Sequence, residues 1–288
     1  MTDLRPRRSA LYMPAANERA LEKAKMLPAD SIIFDLEDAV APDAKESARV
    51  AACAAAASGA YGRRELTIRC NGLDTPWGSA DLAAIAVSTA AAVVVPKVNS
   101  VAYLNEVSQQ LDNAGAPAEM TVWAMIETPT AMFDARAIAA HPRVSVLVMG
   151  TNDLARELRA PLTPGRRALL PHLATALLAA REAGKAILDG VYNDVKNLDG
   201  FAEECAQGVE FGFDGKTLIH PGQVEIANQA WAPSTTDIEH ARRIITAFDE
   251  AVADGRGVVT VDGRMIENLH VATAQRTLAL AQAIATLE

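Results

Sequence analysis

No apolar run in the sequence approaches the ~20 residues of a membrane-spanning helix. The opening MTDLRPRRSALYM also lacks the apolar stretch of a secretory signal, so a soluble cytosolic protein is expected. Cysteine is scarce. Cys53, Cys70 and Cys205 are odd in number and without paired spacing, which argues against a disulfide framework and a zinc ribbon and leaves reduced, buried thiols. No Gly-x-Gly-x-x-Gly follows any β-like run, so a doubly wound dinucleotide-binding sheet, the structural alternative, loses its fingerprint. The tripeptide GKT at 215–217 fails as a phosphate loop, because Glu210 stands where the first glycine belongs and the tripeptide lies inside a β-like run. A basic stripe is missing too. The net charge of −9 disfavours a general nucleic-acid binder. The five histidines have no ligand spacing, and no Ser/His/Asp arrangement is legible. His220, before Pro221, reads as a satisfied structural group.

What is present is a repeating alternation. Eight short β-like runs fall at 9–14, 31–38, 65–71, 92–98, 121–128, 144–150, 185–192 and 213–220. Between and after them lie helix-patterned segments at 17–27, 43–58, 79–87, 100–114, 129–140, 164–183, 198–207 and 221–230, many opened by Asn, Asp, Ser or Pro. Eight β/α units predict an α/β fold of the TIM (β/α)8 barrel class, and 288 residues at 50 % hydrophobic supply the core. The barrel is expected over 1–232. The remainder, 233–288, reads as two helices, 236–254 and 266–287, around a Gly-rich turn. Such a helical hairpin extension covers either a neighbouring subunit or the mouth of a site.

The chain is organised around TVWAMIETPTAMFDARAIAAHPRVSVLVMGTNDLA, residues 121–155. Two β runs there each end on a carboxylate, Glu127 and Asp153. Parallel strands bring their carboxyl ends to one rim, where barrels keep their chemistry. Oxygen ligands with open positions suit Mg²⁺, whereas zinc would want nitrogen or sulfur. The competing reading makes Asp153 a helix cap and Glu127 an incidental rim residue. In IRCN, Arg69 is costly to desolvate unless it meets an anion, either a substrate carboxylate or oxyanion or a structural partner on the second run. That run, FDLED, points Asp35 and Glu37 to one side by period two and Asp38 to the other. Asp35, Glu37 and Lys97 are therefore candidates to support the ligand carboxylates and their waters. A basic cluster, RPRR at 5–8 with Arg19, Lys23 and Lys25, either meets a phosphate-bearing ligand or is a solvated face.

These motifs resemble the citrate lyase β-subunit-like group of the aldolase/citrate lyase family, which includes malyl-CoA and citramalyl-CoA lyases. The resemblance rests on RSALYMPAANERALEKA, DLEDAVAPDAKESAR, IRCNG, PKV, IETP, GTNDL, FGFDGKTLIHPGQV and DGRMIEN, in order along nearly the whole chain. It implies a Mg²⁺-containing barrel that cleaves or condenses a 3-hydroxyacyl-CoA, with coenzyme A as part of the substrate. By the same resemblance, Glu127 and Asp153 match metal ligands and Arg69 an active-site arginine that also contacts substrate. Arg19 lies in a region that meets CoA phosphates. Asp262 of DGRM matches an acid/base aspartate on a C-terminal lid that reaches a neighbouring subunit of a closed homo-oligomer, trimers foremost. Two departures, PAAN at 14–17 and ENL at 267–269, border the places where CoA and lid contacts form.

The implied reaction is a retro-Claisen carbon–carbon cleavage to a 2-oxoacid and an acyl-CoA. Three alternatives stay open: a malyl-CoA thioesterase, a citrate lyase β-subunit acting on an acyl-carrier-protein thioester, and a non-catalytic barrel subunit.

Overall fold

The computed structural model describes residues 4–287. Eight parallel strands close into a barrel in chain order: β1 (Ser9–Pro14), β2 (Ser31–Asp35), β3 (Glu65–Arg69), β4 (Ala92–Val95), β5 (Thr121–Ile126), β6 (Val144–Met149), β7 (Ala186–Asp189) and β8 (Gly215–Leu218). The seam pairs β8 with β1, Ala10 opposite Thr217. A Cβ on Gly215 would overlap the backbone carbonyl of Arg7, so this crossing needs glycine.

The helices are α1 (Glu18–Ala24), α2 (Lys45–Ala57), α3 (Gly78–Ala86), α4 (Val101–Asn113), α5 (Pro129–Ala140), α6 (Thr151–Leu158), α7 (Leu170–Glu182), α8 (Leu198–Phe211) and α9 (Val224–Trp231). Asn17, Ser100, Thr128 and Asn197 cap α1, α4, α5 and α8 with side-chain oxygens on backbone N–H groups. Between β6 and β7 the chain makes two helices, and the stretch expected as one helix at 164–183 begins only at Leu170. Arg159 closes α6 in the left-handed region, and Gly165 and Arg166 both have positive φ, which no helix tolerates.

Alternate residues of the strands fill the barrel: Ala10, Ile33, Val94, Trp123, Met125, Val146, Val148 and Leu188 form one buried cluster. Below it, the basic cluster expected near the N-terminus divides. Arg7 forks Glu65 at 2.7 and 2.8 Å and lies over the Trp123 ring, while Arg8, 3 % exposed, clamps Asp30. Both precede β1 and are held by residues at the starts of β2 and β3, so they serve the closed end of the barrel rather than a phosphate ligand.

Contacts divide the chain into two compact units, one of Arg7–Ala230 and one of Trp231 onward with the described residues up to Pro6. The second contains α10 (Thr235–Ala253), β9 (Val259–Val261), β10 (Arg264–Ile266) and α11 (Asn268–Leu287). Its own core gathers Ala241, Ile244, Phe248, Val261, Ile266 and Val271. The segment expected as a Gly-rich turn is a β-hairpin. Asp262 and Gly263 both have positive φ, the geometry that lets a two-residue Asp-Gly turn match strand twist. Among the described residues no helix is long and apolar enough to cross a membrane.

Candidate active site

Asp35, Arg69 and Glu127 continue the inward-facing alternation of β2, β3 and β5 to the carboxyl ends of the strands or one residue beyond, and Tyr12 continues that of β1 two residues short of its end. All four line a cavity of ≈ 350 Å³ at the barrel mouth, and Asp153 and Asn152 line it too. The cavity therefore brings together Glu127, Asp153, Arg69 and Asp35. Arg19 is exposed in the first turn of α1 and lies outside this lining, and Asp262 belongs to the second compact unit.

Glu127 is 2 % exposed. Its Oε1 accepts the backbone N–H of Lys97 at 2.7 Å, which holds Lys97 in the left-handed region at φ 49°. That conformation costs about 1–2 kcal/mol for a residue with a Cβ. Burial first, then the charge of Glu37 and with less weight that of Asp153, push the Glu127 carboxyl up to about 7 against the pull of the Lys97 N–H. A Cβ on Gly150 would overlap Glu127 Oε2 and Cβ, so the β6–α6 junction needs glycine to admit this side chain. Asp153 is not at a strand end. It sits in the first turn of α6, where the uncompensated N–H groups favour a negative charge, and it pairs with exposed Arg156 at 2.6 Å. The cap position belongs to Gly150, so Asp153 does not cap its helix.

Arg69 has the structural partners that the sequence allowed. Its Nε and Nη2 fork Asp35 at 2.6 and 2.7 Å, and Nη1 meets Glu37 at 2.7 Å. Asp38 stands further off, at 3.4 Å. Asp35 and Glu37 do not share a strand face as period two predicts, because β2 ends at Asp35. The Asp35 carboxylate accepts the N–H groups of Glu37 and Ala39, turning the chain at once. Burial alone would raise the Asp35 carboxyl, but the Arg69 guanidinium outweighs it and holds it below the usual range. Burial raises Glu37 against Arg69's opposing charge, and Lys97 Nζ reaches Glu37 at 3.1 Å. Lys45 fixes the same turn from beneath, donating to the carbonyls of Leu36 and Glu37 and to Asn71 Oδ1.

Several features escaped the sequence reading. Tyr12 lies under Arg69, with the guanidinium carbon 4.8 Å from its ring centre. Asn152 and Asn193 exchange two amide hydrogen bonds, at 3.1 and 2.7 Å, between the first turn of α6 and the loop after β7. Both also line a second cavity of ≈ 580 Å³ that extends to Arg166 and Glu204. Lys216, fully buried in β8, pairs with Asp189 and Glu204, while Arg166 takes the other Asp189 oxygen. That network gives the GKT lysine a structural role between barrel and α8. His220 Nδ1 accepts the Gly222 N–H and caps a short 3₁₀ turn, as its place before proline suggested.

Fold and site define a (β/α)8-barrel protein with a carboxylate-rich pocket at the C-terminal mouth of the barrel. Residues 8–221 match the model of the HpcH/HpaI aldolase/citrate lyase family, and residues 167–285 match that of a C–C bond lyase of the TIM-barrel fold. The chain belongs to the HpcH/HpaI aldolase/citrate lyase family. It is 52 % identical over 280 residues to a (3S)-malyl-CoA thioesterase of Cereibacter sphaeroides, spanning 97 % of this chain and 96 % of that one. It is 34 % identical over 284 residues to the citrate lyase subunit beta of Escherichia coli, covering 96 % and 94 %. Among solved structures it resembles the CitE protein of Mycobacterium tuberculosis in complex with magnesium, acetoacetate and coenzyme A. That match has a TM-score of 0.78 and 28 % identity, over 96 % of this chain and 98 % of that one.

Proposed function

We propose that this protein is a Mg²⁺-dependent enzyme acting on the CoA thioester of a small 3-hydroxy dicarboxylic acid, malyl-CoA in the first instance, and that it hydrolyses the thioester. The observation that carries the reading is the ≈ 350 Å³ cavity, in which buried Glu127 and Asp153 share a lining with the Arg69 guanidinium. The donor set fits a hard cation. The nearest candidates are carboxylates with no histidine or cysteine in the lining, and Glu127 is driven toward protonation by burial and like charge that a cation would relieve. Among the described residues no three His, Cys, Asp or Glu side chains form a closed metal cluster. Two protein ligands leave room for water and substrate, which suits Mg²⁺. Glu127 and Asp153 would hold that ion, whose chemistry when bound is Lewis-acid polarisation of substrate oxygens.

The chain's own residues do the rest. Arg69 keeps a fixed positive charge at the mouth, clamped by Asp35 so that it cannot swing away. The resemblance assigns acid/base work to Asp262. Its hydrogen bond and charge contact with Arg243 hold its carboxyl below the usual range, so it is ionised at neutral pH, and it becomes a stronger base only when Arg243 turns away. Hydrolysis adds water to the thioester carbon, breaks the C–S bond and releases the free acid and CoA thiol.

Carbon–carbon cleavage remains the second reading, supported by the citrate lyase subunit beta relatives at 34–37 % identity. One experiment separates the two. Purified protein with Mg²⁺ is given malyl-, citramalyl-, methylmalyl- and citryl-CoA while free thiol and 2-oxoacid are followed together. Thiol without oxoacid is the expected result. Oxoacid in step with acyl-CoA establishes cleavage, and no turnover of any ester removes the CoA-ester reading.

A further inference from the structure

We propose that the Tyr12 hydroxyl is a catalytic hydrogen-bond donor that holds the thioester carbonyl oxygen as it gains negative charge. This rests on the reading that the ligand is a CoA thioester, and it serves hydrolysis and carbon–carbon cleavage alike. A tetrahedral oxyanion in the first and an enolate in the second place the charge on the same oxygen.

Arg69 gives Nε and one Nη2 hydrogen to Asp35 and its Nη1 hydrogens to Glu37 and, at 3.4 Å, Asp38, which leaves a ligand its charge and a single Nη2 N–H. Among neutral donors of the lining, Thr217 gives its hydroxyl to the Asp189 carbonyl, and Asn152 and Asn193 are tied to one another. The Thr151 hydroxyl packs so closely on Gly190 that a Cβ there would overlap it. Tyr12 differs. Its O–H faces only Met125 Sδ, at 3.9 Å, and a thioether is a weak acceptor. A phenol at the inner end of a substrate-sized cavity with so poor a partner is a donor waiting for an oxygen.

The surroundings keep the group in the right form and place. Burial, against the opposing charge of Arg69, pushes its hydroxyl above the ordinary phenol range, so it stays protonated at neutral pH. The ring is anchored in β1 and stacked under Arg69, whose charge sits over the π face. The phenol keeps its proton throughout. In hydrolysis the water oxygen joins the carbonyl carbon, the C–S pair leaves with sulfur, which takes up one of the water's protons as the thiol, and the Tyr12 hydrogen bond shortens on the carbonyl oxygen and relaxes again as the carbonyl re-forms.

Tyr12→Phe retains the ring and its stacking, so fold is checked simply by its melting temperature. The expected result is a fall of about 10²-fold in kcat for the CoA ester with KM moved less than about threefold, the pattern of an interaction made in the transition state. The carbonyl stretch of bound acetyl-CoA, read by difference infrared spectroscopy, should lie below that of the free ester in wild type and return toward it in Tyr12→Phe. Unchanged kcat, a change confined to KM, or an equal carbonyl stretch in both proteins overturns the role. A wild type that neither binds nor turns over any acyl-CoA overturns the substrate reading, and this role with it.

Discussion

Without a cation nearby, Glu127 is about half protonated at neutral pH, because burial and neighbouring carboxylates raise it to about 7. An acid whose folded value lies above its unfolded one favours folding fully at low pH, and that contribution is lost as pH rises from the ordinary glutamate range through about 7. Glu127→Gln keeps the oxygen that accepts the Lys97 N–H but cannot ionise. In metal-free buffer the variant should therefore gain on wild type between pH 5 and pH 8 by up to about 3 kcal/mol in urea denaturation. Mg²⁺ should raise the wild-type midpoint and leave the variant's in place, and parallel stability curves at both pH values would refute the assignment. Glu127 and Arg69 were legible in the sequence because each interrupts an apolar alternation with a charge too costly to bury idly. Tyr12 was not, since tyrosine near the end of a β run is ordinary strand composition. The Asn152–Asn193 pair was equally silent, for 41 residues separate two amides whose pairing depends on how the loop after β7 lies against the start of α6.

The β6–α6 junction turns one backbone position into a condition for the site. Gly150 passes so close to Glu127 that any side chain there displaces the carboxylate. Gly150→Ala should destabilise the barrel by about 1–3 kcal/mol through overpacking. It should also weaken Mg²⁺ binding at least tenfold in calorimetric titration with a 2-oxoacid present. Wild-type affinity would mean that Glu127 yields without leaving its post. The eight strands and their order were readable from hydrophobic alternation, but every strand after β1 stops before the expected end. At β2 the cause is visible: the Asp35 carboxylate gathers the next N–H groups into a turn, a competition that strand propensity does not register. The β9–β10 hairpin could have been read from Asp-Gly between VVTV and RMI, where glycine-rich composition masked the alternation.

At the scale of the whole molecule, the proposed acid/base role of Asp262 can be tested by asking which chain it serves. It is exposed at the tip of the β9–β10 turn, held by Arg243 at 2.9 Å and by His240 at 3.1 Å. If it acts in a neighbouring chain of a closed oligomer, Glu127→Gln and Asp262→Asn subunits, each inactive alone, should recover about a quarter of wild-type activity after equal mixing and verified exchange. Continued inactivity places the aspartate with its own chain. The paired amides of Asn152 and Asn193 bear on a different matter, that of descent. They stand in the lining shared by the two cavities, of ≈ 350 and ≈ 580 Å³, so a change at either amide alters a wall of both. Across related barrels, one substitution at either position thus reshapes two chambers at once.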